Sequence, residues 1–551
     1  MRTPAPAPGG QPALLTDLLD GAVARHGDWP AIDFLGRVTR YDELGRLVAR
    51  AARGLQDQGV TPGTRVGLCL PNMPAYVILY FAVLRIGGIV VNINPLYIER
   101  ELSNLITDSG ATIVAVPDIM AIHARVAQVA AATGVKRLIV CPLADALPPL
   151  KRLAYRLFKR ADIATVATDG TQMRLADLLA SDRPADPVTV AADDVAVLQY
   201  TGGTTGIPKA AMLTHGNLVS NAWQEVTHVG GESPRQQRVI GVLPLFHVFA
   251  LTSVLNFSVA IGAEMILLPR FELKQLLATL KRIRPTYFPA VPTIYGAINV
   301  VAAKEKLDFS SIRACVSGGA PLPVEVKQSF EALTGAKVVE GYGLSEASPI
   351  ITCNPIDGVN KPGSAGPAFP GTVLEIRDLD DPHRILPQGE RGEVCARGPQ
   401  VMKGYWNRPA DNETVFVDGA LRTGDVGYVD ADGYLFLVDR IKDLILAGGY
   451  NVYPRVIEEA LYEHPAVAEA IVIGVPDAYR GQSPKAFVTL RPGSATDAGA
   501  LRDFLKDKLN KIEMPREIDI RDQLPKTLIG KLSKKELVAE ELAKAEGGGH
   551  G

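Results

Sequence analysis

The sequence has little of what most quickly assigns a chain to a class. Its five cysteines, Cys69, Cys141, Cys315, Cys353 and Cys395, are scattered over 551 residues. None falls in a CxxC or a His-paired metal spacing, which excludes a disulfide scaffold and a cysteine-held zinc site. Buried, reduced thiols in a cytoplasmic protein are expected instead. Lys and Arg number 58 against 60 Asp and Glu, so no global field recruits nucleic acid or a membrane, and any such contact has to be local. Long apolar runs are missing too. "YVILYFAVL" from Tyr76 stops at Arg85, and the stretch from Phe249 is interrupted by Asn256 and Glu264, so neither reaches the ~20 residues of a membrane span. Both read as buried helices, the second running into a strand. The start "MRTPAPAPGGQPALL" has one basic side chain followed by Pro and Gly, which does not read as a signal peptide. Residues 1–12 are expected to be a disordered lead-in. No internal repeat is visible.

What is present is length and alternation. A chain of 551 residues exceeds what one core usually supports, so two or more domains are expected. β-rich runs such as "TIVAV" (112–116), "VAVLQY" (195–200), "EMILLP" (264–269) and "ACVSGG" (314–319) alternate with helical segments. This predicts an α/β fold, a large N-terminal domain with lobes whose sheets are covered by helices. From about Arg440 the texture changes, and a helix in "RVIEEALYEH" and strands in "EAIVIGV" and "KAFVTL" predict a smaller α+β domain over 443–545. The tail 546–551, "EGGGHG", is expected to be disordered.

Two local features carry chemistry. In "LKRLAYRLFKR" (150–160), a helix would place Leu150, Leu153, Ala154, Leu157 and Phe158 on one face and Lys151, Arg152, Arg156, Lys159 and Arg160 on the other. An ordinary surface helix is the plainer expectation, and a peripheral membrane contact is the sharper one. In "YTGGTTGIPKAAMLTH" (200–215), glycines and threonines precede a lysine after an apolar run. Glycine lets backbone N–H groups approach phosphate oxygens, so an anion-binding loop is expected. Thr214 is placed as the cap of a helix "HGNLVSNAWQEV", which sets the loop between a strand and a helix. Lys209 follows Pro208 and precedes Ala210, which disfavours the nucleotide-triphosphatase loop, where lysine follows glycine and precedes Ser or Thr.

Further motifs follow in order: "LPLFHVFALT" (243–252), "SGGAPLP" (317–323), "EGYGLSEASP" (340–349), "RTGDVGYVDADGYLFLVDRIKDLILAGGYNVYP" (422–454) and "PKTLIGKLSK" (525–534). Together with the loop at 200–215, and over most of the chain, they resemble the adenylate-forming superfamily of acyl-CoA synthetases, carrier-protein adenylation domains and luciferases. The resemblance implies ATP, Mg²⁺ and coenzyme A. A carboxylate is a poor acylating agent, and joining it to AMP with loss of pyrophosphate activates it. The loop Thr201, Gly202, Gly203, Thr204, Thr205, Gly206 and Lys209 is implied to follow the triphosphate. Glu346, with Thr201, is implied to hold magnesium, and Ser345 stands where relatives most often have Thr. Tyr342, between Gly341 and Gly343, is implied to stack on adenine opposite Gly319, Ala320 and Pro321, while Asp425 and Arg440 reach the ribose. Lys531 is implied to bridge the attacking carboxylate and the α-phosphate. Residues 440–442 fall on the family's hinge, Lys442 is implied to occupy the hinge position, and 13–439 form the N-terminal domain. Gly448 and Gly449 would then line a coenzyme A tunnel. His247 is implied to sit near the acyl and pantetheine paths.

The phrases "LQYTGGTTG", "NPLYIEREL", "SGGAPLP", "EGYGLSE" and "GGYNVYP" most resemble bacterial long-chain fatty acid:CoA ligases, with medium-chain and aryl acids left open. An acyl-AMP ligase loading a carrier protein would share the ATP residues but typically adds an insertion before the hinge, which is not seen here. A luciferase-like oxygenase has no bound luciferin to point to. A non-catalytic lipid-binding scaffold would be expected to have lost Lys531, Asp425 or Glu346, and all three are present. A homodimer is left open.

Overall fold

A computed structural model describes residues 13–201, 208–231, 233–447, 450–477, 479–527 and 531–547. The lead-in 1–12, the loop residues Gly202, Gly203, Thr204, Thr205 and Gly206, the pair Gly448 and Gly449, and the last four residues lie outside them. The helix Lys535–Gly547 includes Glu546 and Gly547, the first two residues of the expected disordered tail 546–551. The run "ELVAEELAKAE" is rich in strong helix formers, which carries the helix up to the glycines.

The expected α/β alternation resolves into two large sheets. One has eight strands in the order Ile350–Cys353, Val338–Gly343, Ala314–Ser317, Tyr287–Ala290, Arg238–Gly241, Glu264–Leu267, Pro30–Phe34 and Arg37–Arg40, parallel except for the pair at each edge. The other has seven, Gln172–Arg174, Arg137–Cys141, Ile113–Pro117, Arg65–Leu68, Ile89–Asn92, Val195–Thr201 and Lys209–Thr214, parallel except for the last pair. Helix Pro74–Arg85 packs on the strands Arg65–Leu68 and Ile89–Asn92. Its residues Ala75 to Leu84 are all buried, as an all-apolar helix requires. The largest core cluster takes residues from both sheets.

The lobes expected within the N-terminal part include a third, antiparallel sheet of Val373–Arg377, Gly392–Arg397, Ala420–Val429 and Phe416–Val417, with Leu435–Arg440 paired to Ala420–Val429. Sheet membership then changes. After a single turn, Ile441–Asp443, the strand Ile445–Ala447 enters a fourth sheet with Tyr450–Val452, Val467–Asp477, Gly481–Leu490 and Glu517–Ile520. Helices Pro454–Tyr462 and Ala498–Leu505 complete this smaller α+β domain.

One expectation is corrected. Thr214 does cap the helix His215–His228: its hydroxyl accepts from Asn217 N at 3.1 Å, and Asn217 Oδ1 accepts from Thr214 N at 3.0 Å. Such a cap contributes about 1 kcal/mol. The Gly/Thr loop, however, does not run into that helix. Lys209–Thr214 pairs antiparallel with Val195–Thr201, so the loop joins two strands of a hairpin and the helix begins six residues later. Cross-strand pairing claimed the "KAAMLT" segment.

Among the described residues no helix is long and apolar enough to cross a membrane. All five cysteines are free and buried. Burial pushes the Cys69 and Cys395 thiols up to about 12, which leaves them unreactive.

Candidate active site

The site gathers at the C-terminal ends of neighbouring parallel strands. Ala314–Ser317 leads into Gly318, Gly319, Ala320 and Pro321, and its neighbour Val338–Gly343 ends in Gly341, Tyr342 and Gly343. Carboxyl ends of strands in open α/β sheets are where ligands bind. Gly343 cannot be replaced in place, because a Cβ would lie 1.9 Å from Pro349 O on the paired strand's approach. Gly319 has φ +81°, a left-handed conformation suited to glycine, and is exposed, as is Pro321, while Ala320 is half-buried.

Tyr342 faces the third sheet. Its hydroxyl donates to Asp425 Oδ2 at 2.5 Å, and Arg440 Nε lies 3.1 Å from Asp425 Oδ1. Asp425 is buried in the strand Ala420–Val429 opposite Arg440, so antiparallel pairing sets this ion pair. Burial, then the Asp425 charge, raises the Tyr342 phenol well above its ordinary range, and it stays a neutral donor. A carboxylate has about four lone-pair positions, so Asp425 keeps acceptor capacity for a ligand's hydroxyls.

Lys531 reaches the same place from the smaller domain. A Cβ on Gly319 would come within 2.9 Å of Lys531 Cε and 3.2 Å of Nζ, so the lysine lies directly over the glycine turn. Its backbone is clasped by Thr527, whose Oγ1 accepts from Lys531 N at 3.1 Å. Desolvation, reinforced by the Arg440 charge, pushes the ammonium down to about 8.

His247 caps the short helix Val248–Ala250, its Nδ1 accepting from Phe249 N at 3.3 Å. Nδ1 is thereby the acceptor and Nε2 carries the proton in the neutral ring. Burial, with a smaller effect from Lys531, pushes the imidazole down to about 3, so it is neutral at pH 7. The loop before it is held by residues to which the sequence assigned no role. Asn72 donates to Gly241 O (3.0 Å) and Leu243 O (2.8 Å) and accepts from Leu245 N (2.7 Å). Gln199 donates to Phe246 O (3.1 Å) and Tyr76 to Leu245 O (3.0 Å).

Thr201 ends the strand Val195–Thr201, its hydroxyl donating to Lys209 O at 3.3 Å. The turn Ser345–Ala347, which carries Ser345 and Glu346, packs against both strands of this hairpin. Glu346 Oε1 accepts from Tyr405 OH at 2.7 Å, and desolvation raises its carboxyl. Lys209 Nζ pairs with Asp411 Oδ1 at 2.5 Å and lies 5.4 Å from the Tyr405 ring centroid. Tyr405 and Asp411 thus tie the base of the loop to Glu346. Only "GYW" at 404–406 could have hinted at them, and that segment lies far from both partners in sequence.

The structure therefore brings Gly319, Tyr342, Asp425, Arg440 and Lys531 together at one strand end, with His247 close enough to feel the lysine, and places Thr201, Lys209 and Glu346 around the hairpin base. Lys442 lies in the turn Ile441–Asp443, where desolvation and then Arg440 lower its ammonium.

The model of the AMP-binding enzyme family matches residues 19–406, and that of its C-terminal domain matches 456–531. The chain belongs to the AMP-binding enzyme family. This AMP-binding enzyme is 42% identical, over 542 residues, to a long-chain-fatty-acid–CoA ligase of Bacillus subtilis (strain 168), covering 96% of this chain and 94% of the relative. It is 35% identical to a feruloyl-CoA synthase of an Amycolatopsis species, covering 93% and 98%. Among solved structures, ATP-bound MatB from Rhodopseudomonas palustris superposes with a TM-score of 0.85 at 32% identity, covering 96% of this chain and 98% of that one. The AMP-binding enzyme fold, a large domain of sheets and helices with a smaller C-terminal domain, is thus shared over 96% of this chain.

Proposed function

We propose that this enzyme activates a long-chain fatty acid with ATP and passes it to coenzyme A. The observation that carries the first half is the placement of Lys531 over Gly319, beside the Asp425–Arg440 pair. In that half the carboxylate oxygen attacks the α-phosphorus, pyrophosphate leaves with the bonding electrons, and acyl-AMP forms. The Lys531 ammonium is placed to sit between the two reacting groups and to offset the negative charge that builds there. Tyr342 offers its ring to the base and Asp425 its free lone pairs to the ribose.

Magnesium fits the hard oxygen donors present, the desolvated Glu346 carboxylate and the Thr201 hydroxyl. Mg²⁺ accompanies ATP phosphates, so the ion would arrive with them and offset their charge. Glu346 and Thr201 would hold it, with Tyr405 orienting the carboxylate.

In the second half the coenzyme A sulfur attacks the acyl carbonyl and AMP leaves, which requires Lys531 to vacate the site. The turn at 440–442 joins the third and fourth sheets and is our proposed hinge. Leu446 and Tyr450, one on each strand of the pair Ile445–Ala447 and Tyr450–Val452, are 58% and 63% exposed, so this end of the strand pair is open to be presented to a thiol. The buried thiols fit a reducing compartment, and we place the enzyme in the cytoplasm.

A long apolar channel and an aryl pocket are separable by experiment, and the feruloyl-CoA synthase relative keeps the second in play. Each methylene that enters an apolar channel contributes about 0.8 kcal/mol, so kcat/KM for thioester formation should climb several-fold per carbon and then plateau. Acetate, octanoate, palmitate and 4-coumarate are to be compared. A preference for acetate or coumarate would overturn the long-chain assignment and leave adenylation standing.

Lys531 also sets a pH dependence. Its ammonium, lowered from 10.5 to about 8, is charged below that pH and neutral above it. Pyrophosphate exchange, measured as kcat/KM of the free enzyme, should fall as pH rises through about 8. The limb should be missing from the residual activity of Lys531→Ala. A limb no lower than the ordinary lysine value would contradict the site's polarity.

A further inference from the structure

The helix Pro149–Phe158 is turned the wrong way for a surface helix. None of its residues is buried, and Leu150, Leu153, Leu157 and Phe158 are 83%, 59%, 66% and 85% exposed. The side that meets the body carries Arg152 and Tyr155, both half-buried, with Tyr155 packed on the main core cluster. Polar contacts hold it there: Lys151 donates to Leu35 O at 2.8 Å, Arg152 to Asp145 O at 3.4 Å and Arg156 to Asp145 Oδ1 at 2.9 Å. The ordinary reading of this amphipathic segment, apolar side inward, is thus reversed: the leucines and the phenylalanine point to solvent.

The rim of this apolar strip is basic. Lys151, Arg156, Lys159 and Arg160 are exposed, and the only acids in the segment 143–163 are Asp145, paired with Arg156, and Asp162, paired with Lys159 at 3.2 Å. The strand Arg37–Arg40 extends the patch, with Arg37 bonded to Asp145 O and Val38 45% exposed. A chain whose overall charge is close to zero thus concentrates positive charge around one exposed apolar strip. A protein partner would have to supply an apolar groove ringed by acids. An anionic bilayer supplies both parts at once, because acyl chains take the leucines while lipid phosphates meet the bases.

We infer that Pro149–Phe158 is an interfacial helix that docks the enzyme on an anionic phospholipid surface, its apolar side sunk at the headgroup boundary. A single short helix binds reversibly and weakly, so the contact is peripheral. This inference goes beyond the ligase reading and does not depend on it, since the helix is distant in sequence from every residue placed at the reacting groups.

The test is co-sedimentation of the full chain with phosphatidylcholine vesicles and with vesicles that also contain phosphatidylglycerol, at low and high salt. The wild type should sediment with the phosphatidylglycerol vesicles and be released by salt. Leu150→Ser/Leu157→Ser/Phe158→Ser should lower that partitioning by at least about tenfold. Lys159→Glu/Arg160→Glu should erase the preference for phosphatidylglycerol. Both variants change exposed side chains, so pyrophosphate exchange with soluble octanoate should be unchanged and reports that the fold is intact. A wild type that stays in the supernatant with both vesicles, or a triple-serine variant that binds as the wild type does, overturns the inference. So does self-association of the wild type that the serines abolish, which would make a second copy the occupant.

Discussion

Replacing Lys531 by alanine should lower ATP–pyrophosphate exchange by about two to three orders of magnitude, the usual effect of removing one group that stabilises transition-state charge. Thioester formation from supplied acyl-AMP should stay within a few-fold of the wild type. The expectation follows from position. The lysine lies over Gly319, a few ångströms from where the glycine turn and Tyr342 would hold the adenylate, and it comes from the domain that we propose moves before a thiol enters. Folding should be little affected, because a half-buried ammonium lowered to about 8 is a cost to this arrangement that alanine removes. Equal loss in both half-reactions would mean that Lys531 serves the site in a single state, and the two-state reading would fall.

Lys442→Pro should have the complementary effect: pyrophosphate exchange near wild type and overall thioester synthesis reduced to background. Lys442 is the middle residue of the one-turn helix Ile441–Asp443, and proline, with φ held near −65°, is compatible with such a turn. The substitution thus leaves the present arrangement reachable and denies the backbone a change of φ at that residue. Local strain is expected at Ile441, since a residue before proline is driven out of helical conformations. A Lys442→Gly control should therefore retain thioester synthesis while proline does not. Thioester synthesis that survives proline would move the hinge elsewhere in the connection between the third and fourth sheets.

Several strands and one helix cap of this protein were legible locally, because their causes are local. Short apolar runs became the strands Ile113–Pro117, Val195–Thr201, Glu264–Leu267 and Ala314–Ser317, and Thr214 became a cap because its hydroxyl and Asn217 are three residues apart. The ordered motifs likewise identified the chemistry, since residue types at fixed spacing survive any uncertainty about packing. Where the Gly/Thr loop leads was not legible in the same way. "KAAMLT" followed by a helix suits either a direct turn into the helix or a second strand, and only pairing with Val195–Thr201 decided for the strand. The same holds for Tyr405 and Asp411, whose partners Glu346 and Lys209 lie 59 and 202 residues away. No spacing rule reaches across such distances; a hydroxyl meets a carboxylate there because sheets and turns packed from separate segments bring them together. Which way an amphipathic helix faces was decided last of all. The sequence by itself determined that Pro149–Phe158 has an apolar and a basic side. The tertiary structure decided that Tyr155 and the arginine contacts to Asp145 hold it to the body, leaving Leu150, Leu157 and Phe158 outside, because the body offers at that place carbonyls and a carboxylate to bind cations rather than an apolar groove to receive leucines.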